Sequence, residues 1–274
     1  MLKARIITAI ALLVGLLAAV FLLPPAGWLV FCALLCSAAT WEWGTLAGFA
    51  RTLRVATALA FGAICLLFGH LAGLSSPFPT GYELGLTPLY VISAAFWLVL
   101  APLWLVRKWP LSDSVLAALT GFVVLVPTAL ALTQLRAIGP WTLLATMAVV
   151  WVADIAAYFS GRAFGRHKLA PSISPGKTWE GAAGAVLAVL CFGFIVLASQ
   201  RAGFPGGVTA TVTGLVLWTA GSIVGDLYES LLKRQAGLKD SGSILPGHGG
   251  ILDRIDSLTS TLPMVALGAV LLAR

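Results

Sequence analysis

The chain alternates between long apolar runs and short polar connections. A helix that spans a bilayer takes about 20 apolar residues, because every backbone N–H and C=O group must be satisfied inside its own segment. The pattern therefore predicts an all-α integral membrane protein, a polytopic bundle of about nine transmembrane helices. The predicted spans are residues 5–23, 28–48, 55–74, 86–106, 115–135, 141–161, 179–199, 208–228 and 255–273.

Composition agrees with this prediction. Hydrophobic residues make up 59% of the chain and charged residues 10%, against about 25% charged in an average soluble domain. The first run follows Lys3 and Arg5 and has no small-x-small cleavage site, so we expect a retained span rather than a signal peptide. The four cysteines lie in apolar runs without a CxxC pair, which predicts neither a disulfide framework nor a zinc site.

The net charge of +7 does not indicate nucleic acid as a partner, because the basic residues form no run on a soluble face. Instead, the basic residues lie mostly in the polar connections on one side of the predicted membrane. With the N-terminus inside, the cytoplasmic side holds all of the 17 Lys and Arg residues except Arg136, Arg201 and Arg274. By the positive-inside rule we expect a cytoplasmic N-terminus and a C-terminus outside. We also expect a multi-pass protein of the cell inner membrane.

Acidic residues concentrate in the second half of the chain, where seven of the ten lie between residues 151 and 256. We therefore expect a transmembrane scaffold of about five helices over residues 1–140 and a catalytic region of about four helices, with cytoplasmic polar loops, over 141–274. In the scaffold, Glu42 is costly to bury without a partner. Its carboxylate is either satisfied by a neighbouring helix or faces lipid in a functional role.

Asp154 lies inside the sixth predicted span, four residues before Tyr158, so the two side chains share one helix face. An ionisable residue at membrane depth points to function. The alternative is a hydrogen bond between these two side chains that serves helix packing.

The connection after this span carries Arg162, Arg166, Lys168 and Lys177, and a new helix is expected near Thr178. Cations together with free N–H groups at a helix start suit a polyphosphate. This is not a P-loop, because the motif needs Gly where Pro171 stands. The alternative is that the cations anchor the loop to lipid headgroups.

Two further groups of carboxylates lie near the last two spans. Asp226, Glu229 and Ser230 are spaced i, i+3 and i+4, and Asp253 and Asp256 share a face if the last helix has begun there. Hard oxygen ligands on neighbouring helices predict a Mg²⁺ site, since substrate phosphates and water complete the shell of that ion. A solvated network of salt bridges is the alternative.

A Gly-rich polar stretch, residues 239–254, connects these helices. Gly247, Gly249 and Gly250 allow the backbone to approach a ligand closely. For His248 we favour contact with a phosphate over proton transfer, because a phosphate-monoester nucleophile is already ionised near neutral pH.

Residues 230–256 match throughout the motif S-x-x-K-R-x(4)-K-D-x-G-x(2)-L-P-x-H-G-G-x-x-D-R-x-D. This motif, with Asp154 to Tyr158 and Ser174 to Gly181 upstream, resembles the phosphatidate cytidylyltransferase (CDP-diacylglycerol synthase) family over residues 150–274. The resemblance implies a nucleotidyltransferase that uses Mg²⁺ to convert CTP and phosphatidate into CDP-diacylglycerol and pyrophosphate, with phosphatidate drawn from membrane lipid.

The motifs and the residue patterns together give the candidate site. The candidate catalytic residues are Asp226, Asp253, Asp256, Lys233, His248 and Arg254, and the three aspartates are also the candidate metal ligands. The candidate substrate-binding residues are Asp154, Tyr158, Arg162, Ser174, Lys177, Thr178, Glu180, Glu229, Ser230, Arg234, Lys239, Asp240, Gly249 and Gly250.

Two other functions are compatible with parts of the pattern. A CTP-dependent lipid kinase of the polyprenol or phytol type also needs a cationic metal site in the membrane, but the motif of residues 230–256 argues against it. A secondary transporter is disfavoured because the polar residues concentrate in one half of the chain rather than in two repeated halves. The sequence leaves open a homodimer and a second, monovalent cation.

Overall fold

The structure is a computed structural model that describes residues 2–199, 206–245, 247 and 249–272, with side chains from residue 7 onward. His248, a candidate catalytic residue, lies outside the described residues. The helices are α1 (Leu2–Leu22), α2 (Pro25–Leu46), α3 (Arg51–Leu71), α4 (Thr87–Ala95), α5 (Ala101–Arg107), α6 (Ser114–Ile138), α7 (Pro140–Phe164), α8 (Trp179–Ser199), α9 (Gly207–Gln235) and α10 (Leu252–Leu272).

The predicted fold class is confirmed. In the described part of the chain, eight helical stretches are long and apolar enough to cross a membrane, and α1 contributes a shorter apolar stretch, Ile7–Leu22. One span, Leu84–Arg107, is composite: a short 3₁₀ turn, α4, a π-helical segment Phe96–Leu100 and α5. Pro102 follows the π-helical segment and has no N–H to donate to the preceding turn, so the regular helical hydrogen bonding is interrupted there.

The connection between α7 and α8 contains a β-hairpin that the apolar pattern did not predict. Strand β1 (Lys168–Ala170) pairs antiparallel with β2 (Ser174–Thr178), and Lys168 lies opposite Thr178. The predicted helix start near Thr178 is confirmed, because α8 begins at Trp179. The Thr178 hydroxyl accepts a hydrogen bond from the Gly181 N–H at 3.1 Å, which satisfies a free donor in the first turn of α8.

The most buried helices are α6 and α10. In each, 61% of the most apolar window is buried inside the protein, against 22% for α8 and for α9. Helix α10 packs against α9, α6 and α4, so the last helix belongs to the same core as the first half of the chain. Helices α8 and α9 leave apolar surface on the outside, as expected for segments that face lipid.

Helices α9 and α10 bring the acidic residues together. Helix α9 runs seven residues past its predicted end, so Glu229, Ser230 and Lys233 are all helical. Helix α10 starts at Leu252, which places Asp253 and Asp256 in its first two turns, as the shared face requires. Gly225 allows a close approach of the two helices, because a Cβ there would lie 2.6 Å from the Asp256 carbonyl oxygen.

Candidate active site

A cavity of about 670 Å³ opens between α7, the β-hairpin, α8, α9 and α10. Small and apolar residues such as Ala153, Ala157, Gly161 and Ile223 form part of its wall. The cavity brings together nine residues that the sequence pointed to as candidates. They are Asp154, Tyr158, Arg162, Ser174, Lys177, Thr178, Asp226, Asp253 and Asp256.

One wall combines α7 with the hairpin. Asp154, Tyr158 and Arg162 recur every four residues on α7 and all face the cavity. The Arg162 guanidinium donates a hydrogen bond to the Tyr158 hydroxyl at 3.1 Å. Tyr158 is therefore paired with Arg162, one turn further along, which differs from the predicted alternative of a Tyr158 bond to Asp154.

Lys177 connects this wall with α9. Its ammonium group, on β2, forms an ion pair with the Asp226 carboxylate, and the other Asp226 oxygen accepts a hydrogen bond from Ser230 at 3.2 Å. Lys177 and Asp226 are both partly exposed to the cavity. An anionic ligand can therefore take over Lys177, which would release Asp226 for a cation.

Asp253 is held by hydrogen bonds on both carboxylate oxygens. One oxygen accepts from Lys233 at 2.7 Å, and the other accepts from the Ser241 N–H, the Ser241 hydroxyl and the Gly250 N–H at 2.9, 3.0 and 2.8 Å. Lys233 also lies 3.4 Å from the Glu229 carboxylate one turn away on α9. Asp253 thus links Lys233 of α9, and Ser241 and Gly250, to the start of α10.

The three aspartates of the predicted metal set all line the cavity. In the described residues, no group of three or more His, Cys, Asp or Glu side chains is arranged to hold a metal ion. Asp253 already accepts hydrogen bonds from Lys233, Ser241 and Gly250. Asp226 and Asp256 both face the cavity, and two carboxylates suffice for Mg²⁺ when substrate phosphates and water complete its shell.

Other candidates lie away from the cavity wall as the described residues form it. Glu180 turns to the base of the hairpin, where its carboxylate contacts the His167 ring at 2.6 Å. Gly249 and Gly250 face carboxylates of the protein, Asp253 and Glu42, rather than the cavity. Glu229, Ser230 and Lys233 lie on α9 beside the acidic residues, and Arg234, Lys239, Asp240 and Arg254 are exposed.

Two residues near the site were not identified from the sequence as part of it. Ser241 is buried and bonds to Asp253, and Glu42 lies behind it, 199 residues earlier in the chain. The first of the two interpretations of Glu42 is closer to the structure, since its carboxylate is satisfied by a neighbouring segment. The sequence signal for Glu42 was a charged residue inside an apolar span. No sequence signal distinguished Ser241 from the other polar residues of its segment.

Comparisons with known proteins extend the resemblance over nearly the whole chain. The profile described as the cytidylyltransferase family matches residues 3–272. A phosphatidate cytidylyltransferase of Pseudomonas aeruginosa is 39% identical, with 97% of this chain and 96% of that protein covered. One from Haemophilus influenzae is 36% identical, with 96% of each covered, and one from Brucella suis is 46% identical over 60% of this chain and 58% of that protein.

Proposed function

The chain belongs to the cytidylyltransferase family, and we propose that it is a phosphatidate cytidylyltransferase. An oxygen of the phosphatidate phosphate attacks the α-phosphorus of CTP, the bond from that phosphorus to the β-phosphate oxygen breaks, and pyrophosphate leaves. CDP-diacylglycerol stays in the membrane. The observation that carries the assignment is one cavity, built by membrane-spanning helices, that holds both cations for phosphates and paired carboxylates.

The cationic wall suits the nucleotide. Phosphoryl and nucleotidyl transfer depend mainly on positioning and on neutralising charge around phosphorus. Arg162 and Lys177 supply positive charge inside the cavity, and Ser174 and Tyr158 add hydroxyl groups. When the phosphates approach Lys177, they compete with Asp226 for its ammonium group. The apolar residues Ala153, Ala157 and Ile223 line the same cavity and suit the acyl end of a lipid.

The acidic wall suits Mg²⁺. We propose Asp226 and Asp256 as its protein ligands, with Asp253 beside them in the cavity lining, held by Lys233, Ser241 and Gly250. Bound Mg²⁺ would neutralise the crowded phosphate oxygens and orient them for in-line displacement. Two carboxylates on adjoining helices near a membrane repel each other unless a cation compensates them, which favours a metal at this place.

The proposal also concerns the orientation, the location and the organisation of the whole protein. The cavity opens to the cytoplasm, the N-terminus is cytoplasmic, and the protein lies in the inner membrane. Residues 1–140 serve as scaffold and 141–274 carry the site. A reporter fused after Arg274 tests the orientation: activity after export is expected, because the positive-inside rule places that end outside. Cytoplasmic reporter activity would reject the proposed orientation.

The decisive experiment separates the proposed reaction from its alternative. Purified protein is given CTP labelled at the α-phosphorus, phosphatidate and Mg²⁺, and the label is followed into lipid. A cytidylyltransferase transfers the labelled cytidylate to lipid and releases pyrophosphate. A CTP-dependent lipid kinase leaves the label in CDP and accepts a lipid alcohol instead. Label that stays in the aqueous phase with every lipid tested would reject the proposal.

A further inference from the structure

We infer that Glu42, in the N-terminal scaffold, is a positioning residue for the reaction: it holds residues 241–242 and 250–252, which include the start of α10, in place. The inference rests on the proposed function for its kinetic consequence. Glu42 lies on α2, far from the acidic cluster in sequence, and its side chain does not line the cavity formed by the described residues. It acts through the residues that it binds.

The contacts of Glu42 are specific to one end of α10. One carboxylate oxygen accepts from the Ile251 N–H at 3.0 Å, and the other accepts from the Leu252 N–H at 2.8 Å. These are free donors at a helix start, where a negative charge is stabilised by the helix dipole. Glu42 is 1% exposed, so these bonds compensate the burial of its carboxylate.

Ser241 links Glu42 to the acidic wall. Its hydroxyl lies 3.2 Å from a Glu42 oxygen and 3.0 Å from Asp253. Ser241 therefore lies between two carboxylates, one from the scaffold and one from α10. Asp256 is one turn beyond Asp253 on the same helix, so an error in the placement of the helix start is transmitted to a residue of the cavity wall.

The glycines of this segment support the same inference. A Cβ at Gly242 or at Gly250 would collide with the Glu42 carboxylate. Glycine is needed at positions 242 and 250 because the Glu42 carboxylate occupies the space of a side chain there. The close approach at these glycines is therefore made by a residue of the protein and not by a ligand. Glu42 and the Gly-rich segment thus form one complementary unit, assembled from both halves of the chain.

The test is Glu42→Gln in the full-length protein. Glutamine keeps the shape of the side chain, but its NH₂ group replaces one carboxylate oxygen and faces a backbone N–H donor. One hydrogen bond to Ile251 or Leu252 is therefore lost, and the other is made to a neutral acceptor instead of a charged one. We expect amide hydrogen exchange in residues 239–252 to accelerate about tenfold. We expect KM for CTP to rise about tenfold as well, because the competent loop conformation is less populated.

Separate measurement of KM and of the active fraction distinguishes a positioning role from simple support of the fold. A residue that only stabilises the fold would lower the active fraction and leave KM unchanged. Glu83→Gln is the matched control, since Glu83 is also a scaffold carboxylate but bonds to Thr80 in an exposed turn. Wild-type exchange and KM in Glu42→Gln, or a loss of activity that follows the folded fraction alone, would overturn the inference.

A second variant covers the case in which Glu42→Gln does not fold. Ser241→Ala removes the hydroxyl that bridges both carboxylates and keeps Glu42 on the helix start; we expect KM for CTP to rise about threefold. An unchanged KM in that variant would count against the inference. Hydrogen exchange requires neither CTP nor phosphatidate, so failure of the proposed reaction in wild-type protein is distinguishable from failure of this positioning unit.

Discussion

The two walls of the cavity are built in different ways. On the α10 side, Asp253 has hydrogen bonds to both carboxylate oxygens, and the segment in front of it is anchored to the scaffold through Glu42. On the hairpin side, Arg162 and Lys177 project from α7 and β2 with partners inside the cavity itself. The carboxylates at this cavity therefore differ in their partners: Asp253 accepts hydrogen bonds from several groups of the protein, whereas Asp226 pairs with Lys177, which can also bind an anionic ligand.

The largest effect should come from Asp226 and Asp256, the two proposed ligands of Mg²⁺. Asp226→Asn or Asp256→Asn keeps the shape and removes the charge, and we expect turnover to fall by about a thousandfold with a raised Mg²⁺ requirement or no rescue. Initial rates of lipid-linked cytidylate formation are measured against Mg²⁺ concentration. Asp113→Asn, which alters the N-cap of α6, is the control. Unchanged Mg²⁺ dependence in folded protein would remove these residues from the metal site.

The next effect tests the cationic wall. Lys177→Ala should lower turnover by about a hundredfold, because a donor of charge to the phosphates is lost and Asp226 loses its partner. Lys168→Ala on the facing strand is a matched control and should stay within about twofold of wild type, since that side chain is exposed. Near-normal turnover of Lys177→Ala would reassign Lys177 to contact with lipid headgroups.

A smaller effect on turnover, but a larger one on stability, is expected at Asp253. Lys233→Met leaves the buried Asp253 carboxylate without its cation, so thermal unfolding should occur at lower temperature than in wild type. Asp253→Asn together with Lys233→Met should cost less stability than the two single changes added, because the unpaired charge is gone. Strictly additive shifts in the unfolding temperature would mean that this pair does not support the wall.

The smallest effect is expected at the base of the hairpin. Glu180→Gln alters the contact with the ring of His167, whose side chain is 78% exposed, and such exposed contacts contribute little in water. Turnover should therefore change by less than about threefold. A hundredfold loss of turnover in the same assay would assign Glu180 to the active site and would contradict its placement away from the cavity wall.

The membrane fold could be predicted from the sequence alone, and the sequence motifs also point to the region of the candidate site. Apolar runs of about 20 residues leave few alternatives to spanning helices, and the i, i+3 and i+4 spacings of Asp226, Glu229 and Ser230 put these side chains on one helix face. The family motif pointed to residues 230–256. Helical periodicity and motif matching can predict these features because both depend only on residues that are near one another along the chain.

The partners of these residues are visible only in the folded chain. Gly249 and Gly250 belong to the same motif as Asp256, yet they lie against the carboxylates of Asp253 and Glu42. Asp253 lines the cavity and is also bonded to Lys233 and Ser241. The Glu42 bonds to Ile251 and Leu252 join residues more than 200 positions apart, and no periodicity encodes such a contact. A carboxylate takes whichever donors the packing of distant helices brings near it, so its partner is a property of the folded chain.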